Sequence, residues 1–298
     1  MSERLGHHVL ILFTGKRGAA DYARPMPGHG EPGESWVTER LQVDGTTVYC
    51  RRSTHEDGVP LVHLHGFAIS GAYLMPTARA LAQRGVNVVP DLPGYGRSER
   101  RERVLDIPAL AETTLAILDR LDIDKAVLVG NSMGCPISLE VAHVAPERIH
   151  GLVLVSPAGG VHNQPMSRAL GQLAKDVLRE RTAMFPVALP DYVKFGPLNG
   201  LRLFRQLTRF PSLERLLSTP VPTLAVLGVR DPLMPPSDRI REVARLAPQH
   251  LTVAIVDEAA HAVNFSHPTE LAGVIGAWLD DAIGDGTLLP DGVRVVSE

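Results

Sequence analysis

The segment that most constrains this chain is residues 126–146, which read AVLVGNSMGCPISLEVAHVAP. Its first four residues form a short apolar run rich in β-branched side chains, which is typical of a buried strand. The part that begins at Met133 lacks the alternation of a strand and ends before Pro146, which cannot continue a helix, so it predicts a buried helix. Pro136 is compatible with this helix because it lies in the first turn.

Residues 130–134, between the predicted strand and the predicted helix, fit the pattern G-x-S-x-G. A strand that turns directly into a helix strains the residue at the tip of the turn, and the flanking glycines leave room where a Cβ would collide with a neighbouring strand or helix. The turn would present the Ser132 hydroxyl at the carboxyl end of the sheet, beside the N–H groups that begin the helix. The alternative is a Gly-Asn turn with an incidental serine.

Predicted strands and helices alternate around this turn, after an opening hairpin in which residues 37–43 and 46–52 flank Asp44-Gly45. This order predicts an α/β fold with a mostly parallel central sheet and helices on both faces. The further strands are predicted at residues 61–64, 86–90, 126–129, 152–155, 223–227 and 251–256. The helices are predicted at residues 72–84, 107–121, 133–145, 238–246 and 268–283.

The alternation stops after the sixth strand, where apolar residues have helical spacing and no strand is predicted. We interpret this segment as a helical cap above the carboxyl edge of the sheet, where ligands bind in open α/β sheets. The predicted organisation is an irregular N-terminal arm at residues 1–35, a core at 36–159 and 221–284, a cap at 160–220 and a C-terminal tail at 285–298.

Composition excludes several classes of protein. The chain has 298 residues, of which 44% are hydrophobic and 21% charged, as expected for one large α/β domain with an insertion. Its net charge of −3 argues against a nucleic-acid partner, and no run approaches the roughly 20 apolar residues of a membrane span. The apolar run at residues 9–13 is too short for a secretory signal, so we expect a cytoplasmic protein. Cys50 and Cys135 are too few for a disulfide framework, and Cys135 is predicted to fill the core.

A serine nucleophile needs a base within hydrogen-bonding reach and a third group that orients the base. His261 follows the last predicted core strand, so it lies at the same sheet edge as Ser132. His267 is the alternative base, but it lies further from the end of that strand. No metal ion or organic cofactor is expected for this chemistry.

The orienting acid should also follow a strand, and Asp231 does so. Its alternative role is that of a turn residue before Pro232. Asp257 and Glu258 are nearer to His261 along the chain, but an acid on the same short loop would have to fold back under the imidazole. The chain order serine, acid, histidine is the order expected for a nucleophile on a strand–turn–helix.

The oxyanion that forms on attack needs two N–H donors that are already in position. The N–H of Met133, directly after the serine, is the first predicted donor. The second is the N–H of Phe67, in the loop after the third strand. His65 and Gly66 are predicted to shape that loop, with His65 in a structural role rather than as a second base.

Four features occur together in the order of a known superfamily. They are His65-Gly66, then DLPGYGRS at residues 91–98, then GNSMG at residues 130–134, and finally Asp231 with His261. Over residues 36–283 the chain therefore resembles the α/β-hydrolase superfamily. The resemblance implies a serine hydrolase that cleaves a carboxylic ester or a related carbonyl substrate through an acyl-enzyme. We assign the DLPGYGRS loop a structural role.

The GNSMG turn resembles that of the meta-cleavage-product hydrolases, which cleave a C–C bond, and of related esterases. The chain has Cys135 where those C–C hydrolases usually have a second glycine, and Ala262 where they commonly have a larger residue. Ser132 argues against haloalkane dehalogenases and epoxide hydrolases, which use an aspartate at this position. A C–C hydrolase and a small-molecule receptor on the same fold remain alternatives to the esterase.

The predicted cap suggests the substrate. Its apolar residues could roof an apolar pocket; they are Met184, Phe185, Phe195, Leu201, Phe204, Leu207 and Phe210. Basic residues outnumber acidic ones in this segment, and its arginines are Arg168, Arg179, Arg181, Arg202, Arg205, Arg209 and Arg215. One or two of these arginines could face inward and bind a substrate carboxylate, and the alternative is a solvated surface. We therefore expect a small, mainly apolar substrate that could carry a carboxylate.

Overall fold

The strands form one nine-stranded sheet in the order β1-β2-β4-β3-β5-β6-β7-β8-β9. The structure is a computed structural model that describes residues 36–55, 57–157, 171, 182–233, 237–246, 250–283 and 289–296, so the predicted N-terminal arm lies outside the described residues. The strands are β1 Trp36–Val43, β2 Thr46–Ser53, β3 Leu61–Leu64, β4 Asn87–Asp91, β5 Ala126–Asn131, β6 Ile149–Val155, β7 Thr223–Gly228, β8 Leu251–Val256 and β9 Val293–Val295. Strands β3 to β8 pair in parallel, whereas β1, β2 and β9 pair antiparallel.

Helices cover both faces of this sheet, as the sequence predicts. They are α1 Met75–Ala80, α2 Ile107–Arg120, α3 Gly134–Val144, α4 Phe185–Phe195, α5 Pro197–Leu207, α6 Ser212–Ser218, α7 Ser237–Leu246, α8 Val263–Ser266 and α9 Pro268–Leu279. Helices α2 and α3 contribute to one buried apolar cluster, and α9 contributes to another with the inner strands. Within the described ranges, no helix is both long and apolar enough to cross a lipid bilayer.

Two differences from the sequence-based prediction affect the shape of the core, at residues 72–84 and in the predicted C-terminal tail. The helix predicted at residues 72–84 is a 3₁₀ turn, then α1, then a second 3₁₀ turn, because Pro76 favours a helix start within the segment. In the predicted C-terminal tail, β9 extends the sheet by pairing antiparallel with β8. A three-residue strand is too short to show a recognisable alternation in the sequence.

The described part of the predicted cap is helical and lies between β6 and β7. It contains the three helices α4, α5 and α6. The cap contacts the core through the Ser70 N–H, which donates to Asp191 Oδ2 at 2.8 Å. In addition, the Phe195 ring stacks on Tyr95 with centroids 4.9 Å apart. These contacts place α4 above the carboxyl edge of the sheet.

The loop at residues 91–98 has a structural role, because Asp91 at its start holds several segments of the core together. The buried Asp91 carboxylate accepts hydrogen bonds from the N–H of Gly71 at 2.9 Å and of Arg97 at 2.8 Å. It also forms an ion pair with Arg51 at 2.8 Å. One carboxylate therefore connects β2 with the segments that follow β3 and β4.

Both glycines of the G-x-S-x-G turn lie against backbone. A Cβ on Gly130 would collide with the backbone of Gly134, at the start of α3. A Cβ on Gly134 would collide with the carbonyl of Leu64 in the adjacent strand β3. The collisions predicted from the sequence are thus with the neighbouring helix and the neighbouring strand.

Gly134→Ala is expected to destabilise the protein by roughly 2–4 kcal/mol. The new Cβ would collide with the backbone carbonyl of Leu64, which cannot rotate away as a side chain could. Gly200→Ala is the matched control, since a Cβ at Gly200 in α5 meets only the tip of the Phe67 ring, at 3.6 Å. That change is expected to be neutral or stabilising, because alanine favours the helix. Urea unfolding measures both values, and equal stabilities for the two variants would contradict the steric argument.

His63 is buried in β3 and is neutral in the folded protein. Its Nε2–H donates to Asn87 Oδ1 at 2.7 Å, because the Asn87 amide group already donates to the carbonyls of Leu81 and Gly85. Burial lowers the pKa of His63 to about 4, although the hydrogen bond to Asn87 opposes the shift. The unfolded chain, in which this pKa is near its ordinary value, takes up the proton first as the pH falls.

His63 should therefore make the protein less stable as the pH falls from about 6.5 to about 4. The expected loss from this group is about 3 kcal/mol, because one pKa unit corresponds to about 1.4 kcal/mol. In His63→Gln the side-chain amide can still donate to Asn87, but nothing titrates at this position. Urea unfolding at pH 7 and pH 4 should show a smaller pH dependence for the variant, and an unchanged dependence would contradict the assignment.

Candidate active site

Ser132 lies at the tip of the turn between β5 and α3, at the carboxyl edge of the sheet. Its φ of 54° is in the left-handed region, which a residue other than glycine rarely adopts. The turn is held because the Ser132 N–H donates to the Val155 carbonyl at 3.0 Å, and its own carbonyl accepts from the Cys135 N–H at 3.1 Å. The predicted strained turn is present, and strain of this kind is concentrated at functional sites.

The structure brings His261 and Asp231 together. His261 Nδ1 lies 2.8 Å from Asp231 Oδ2, and both side chains are nearly buried. Burial raises the pKa of Asp231, but the charge of His261 and hydrogen bonds from His261 and the Leu233 N–H outweigh burial and lower that pKa overall. An ionised Asp231 therefore accepts the Nδ1–H of the imidazole, which leaves Nε2 able to accept a proton.

The alternative acids and the alternative histidine have other partners. Asp257 forms an ion pair with Arg294 at 3.6 Å, and Glu258 forms one with Arg230 at 2.9 Å. His267 Nδ1 lies 2.9 Å from the hydroxyl of Ser266, at the start of α9. The geometry therefore favours Asp231 as the partner of His261.

A hydrogen-bond network that the sequence analysis missed connects the three loops of the site. The Gly66 N–H donates to the Tyr73 hydroxyl at 2.8 Å, and that hydroxyl donates to Asn131 Oδ1 at 2.6 Å. The Asn131 amide group in turn donates to the carbonyl of His261 at 3.3 Å. The sequence could have indicated a role for Asn131, because this residue directly precedes Ser132 in the motif. No feature of the sequence points to Tyr73.

The two predicted oxyanion donors lie near members of this network along the chain. Met133 is fully buried and directly precedes α3, and Phe67 directly follows Gly66. A Cβ added to Gly66 would lie 3.3 Å from the Cβ of Ser132, so the backbone that leads to Phe67 passes beside the serine. Among the described residues, nothing accepts a hydrogen bond from the N–H of Phe67 or Met133.

His65 and Cys135 have geometries that suit structural roles. His65 Nδ1 lies 3.0 Å from the Gly66 carbonyl, and its Nε2 accepts the Leu92 N–H at 3.0 Å. Burial lowers the pKa of His65, although the hydrogen bond to Gly66 opposes the shift, and the neutral ring fits these two bonds. Burial raises the pKa of the Cys135 thiol, which argues against a reactive thiolate there.

Aromatic side chains from the cap lie above the loop that carries the predicted oxyanion donor. The Phe67 ring makes edge contacts with Phe195 at 6.0 Å and with Phe204 at 5.9 Å. In contrast, Phe185 and Leu201 are 43% and 55% exposed, so they do not contribute to an apolar roof as the sequence suggested. Helical spacing identified an apolar segment but not which of its residues face the core.

The described cap arginines have two kinds of environment. Arg215 forms an ion pair with Glu140 of α3 at 2.9 Å. Arg202 and Arg205 on α5, and Arg209 just after its end, are exposed and line a surface cleft. The other cap arginines in the carboxylate prediction, Arg168, Arg179 and Arg181, lie outside the described residues. Within the part of the chain that the structure describes, no group of three His, Cys, Asp or Glu side chains could hold a metal ion.

Comparisons with known proteins agree with this fold. A sequence model of the alpha/beta hydrolase family matches residues 61–274, and the chain belongs to that family. The dihydrolipoyllysine-residue acetyltransferase component of the acetoin cleaving system of Pseudomonas putida is 30% identical over 256 residues, which cover 79% of this chain and 67% of that protein.

The next two comparisons are with an esterase and with a structure named as a meta-cleavage product hydrolase. The pimeloyl-(acyl-carrier protein) methyl ester esterase of Aeromonas salmonicida is 26% identical over 250 residues, which cover 73% of this chain and 94% of that protein. The solved structure of a meta-cleavage product hydrolase from Pseudomonas fluorescens IP01 has a TM-score of 0.64 and 20% identity, covering 82% of this chain and 98% of that one. Family and relatives support hydrolase activity, and the solved structure shows a shared fold.

Proposed function

We propose that this protein is a serine hydrolase that cleaves a carboxylic ester or a related carbonyl substrate. In this mechanism the Ser132 hydroxyl attacks the carbonyl carbon while His261 Nε2 accepts its proton. Asp231 holds the imidazole in the required tautomer, and the N–H groups of Phe67 and Met133 stabilise the oxyanion. His261 then returns the proton to the leaving group, and water hydrolyses the acyl-enzyme by the same route.

The observation that carries the proposal is the constellation at one sheet edge. A serine with φ of 54° follows β5, and a histidine–aspartate pair at 2.8 Å follows β8 and β7. A buried carboxylate that is bonded to a histidine at this edge is the arrangement a general base requires. The mechanism needs no metal ion or organic cofactor.

We propose a mainly apolar acyl group for the substrate. Phe67, Phe195 and Phe204 support this, because their rings come together at the junction of the cap with the predicted oxyanion loop. The described cap arginines that suggested a carboxylate on the substrate do not support one here. Of the described cap arginines, one is paired with Glu140 and three line a surface cleft, so the described residues offer no partner for that carboxylate.

Labelling with a fluorophosphonate probe, followed by assays on short p-nitrophenyl esters, tests the proposal. We expect one modified serine, identified as Ser132 by peptide mass spectrometry, and a burst of p-nitrophenol that matches the enzyme concentration. A protein that is inert to the probe and to every ester would contradict the proposal.

The same assays separate the alternatives. Cleavage of a vinylogous diketo acid without ester cleavage would indicate a C–C hydrolase instead. Tight binding of a small ligand that is unchanged in Ser132→Ala, without turnover of any substrate, would indicate a receptor. Transfer of the acyl group to an added alcohol or to peroxide would indicate that water is not the preferred acceptor.

A further inference from the structure

Helix α5 separates the active site from a cationic cleft. Leu203 and Leu207 of α5 are buried in the core, and Phe204 contacts the ring of Phe67. Arg202 and Arg205, three positions apart, lie about one helical turn from each other, on a side of α5 that carries none of these apolar residues, and Arg209 follows two residues after the helix ends. The helix thus carries its apolar contacts on one side and its arginines on another.

The segment before α2 completes the cleft. Arg103 and Val104 lie opposite the α5 residues across a volume of about 510 Å³. The described residues that line this cleft include no carboxylate; they are Arg103, Val104, Arg202, Arg205, Gln206 and Arg209. Glu102 and Asp106 are near in the chain, but Asp106 caps α2 by accepting the Ala109 N–H at 3.0 Å.

Within the described ranges, the four arginines of this cleft have no acidic partner. Elsewhere, seven arginines form ion pairs with carboxylates, namely Arg51, Arg52, Arg84, Arg148, Arg215, Arg230 and Arg294. In the described part of the chain, no hydrogen bond or ion pair engages the guanidinium groups of Arg103, Arg202, Arg205 or Arg209. The buried Oε1 of Gln206 also has no hydrogen-bond partner there.

Four like charges around one cleft repel each other unless an anion lies between them. The planar guanidinium fork binds phosphate oxygens through two parallel hydrogen bonds, so four forks can hold several phosphate oxygens at once. The volume is within the range of roughly 300–1,000 Å³ for small-molecule sites and far exceeds a single phosphate.

We propose that this cleft binds a ligand that presents two or more phosphate groups close together, either on one soluble molecule or on neighbouring lipid headgroups. Its recognition depends on the guanidinium forks of the four cleft arginines, and not on the predicted catalytic residues. The proposal concerns binding alone, so it stands or falls independently of the proposed hydrolysis.

Isothermal titration calorimetry with inorganic pyrophosphate tests this proposal. We expect saturable binding that weakens as salt is added, and a loss of roughly tenfold to a hundredfold in affinity for each of Arg202→Gln and Arg205→Gln. Arg202→Lys keeps the charge but loses the planar fork, so it should also bind more weakly than the wild type. Arg120→Gln, at the end of α2, is the matched control that removes one exposed arginine outside the cleft.

Further ligands identify the source of the phosphates. Sedimentation with phosphatidylglycerol vesicles, reversed by pyrophosphate, would support the proposal with a lipid surface as the source. Binding of pyrophosphate without vesicle binding would support it with a soluble polyphosphate. The proposal is overturned if pyrophosphate does not bind, if citrate binds equally well, or if Arg202→Gln and Arg120→Gln have the same affinity. Circular dichroism confirms that each variant is folded.

Discussion

Replacing Ser132 with alanine is expected to lower kcat for a p-nitrophenyl ester by a factor on the order of 10⁴ to 10⁶. Only this hydroxyl follows β5 at the carboxyl edge with φ of 54°, beside the loop that leads to Phe67. Without it no acyl-enzyme can form, so the burst of p-nitrophenol should vanish as well. Stopped-flow absorbance measures the burst and the steady-state rate together.

Ser138 provides the matched control for this variant. It is a buried serine of α3 whose hydroxyl donates to the Gly134 carbonyl at 2.8 Å. Ser138→Ala should cost about 1 kcal/mol of stability and leave kcat within a factor of a few. If Ser132→Ala retained the burst, or if both variants lost activity equally, Ser132 would not be the nucleophile.

Asp231→Asn is expected to lower kcat by a factor on the order of 10⁴, although it changes the shape of the side chain very little. The Leu233 N–H donates to Asp231 Oδ1 at 2.8 Å, so the carbonyl oxygen of the asparagine would take that position. Its amide nitrogen would then face His261 Nδ1 and donate to it. The imidazole proton would move to Nε2, which could no longer accept the proton of Ser132. His261→Ala should lose as much activity.

The alternative residues serve as controls for this pair. Asp257→Asn and His267→Gln each alter one of the residues that the structure pairs with other partners, and each should leave kcat within a factor of a few. The result would argue against the assignment if Asp257→Asn lost more activity than Asp231→Asn.

Because the pKa of Asp231 is lowered in the fold, its charge stabilises the native state at neutral pH, and this contribution is lost as the pH falls. Thermal unfolding of Asp231→Asn must therefore be measured beside its activity.

Several parts of the site were predictable from local patterns. The strained turn at Ser132 followed from its flanking glycines and from the strand and helix around it, and all of these are present. Asp231 and His261 were predicted from their positions after strands, because parallel strands bring their carboxyl ends to one edge. The observed distance of 2.8 Å between these two side chains agrees with that argument.

Other parts depend on contacts between distant residues and have no local signal. The Tyr73 hydroxyl bonds Asn131 across 58 positions, and Asn131 bonds the His261 carbonyl across 130 positions. The same holds for α5, where helical spacing predicted an amphipathic segment. That spacing did not show that Phe204 faces Phe67 or that Arg202, Arg205 and Arg209 border a cleft with Arg103.

Local sequence patterns were enough to predict the α/β class and the strand–turn–helix around Ser132, and to propose Asp231 and His261 as its partners. Backbone sterics and hydrophobic periodicity act within a few neighbouring residues, so a single stretch of chain contains the information they need. The packing of the chain was needed to show which loops meet, which faces of α4 and α5 are buried and which arginines lack an acidic partner among the described residues. These outcomes depend on packing between elements that are far apart in the chain, and a local pattern does not encode how such elements pack together.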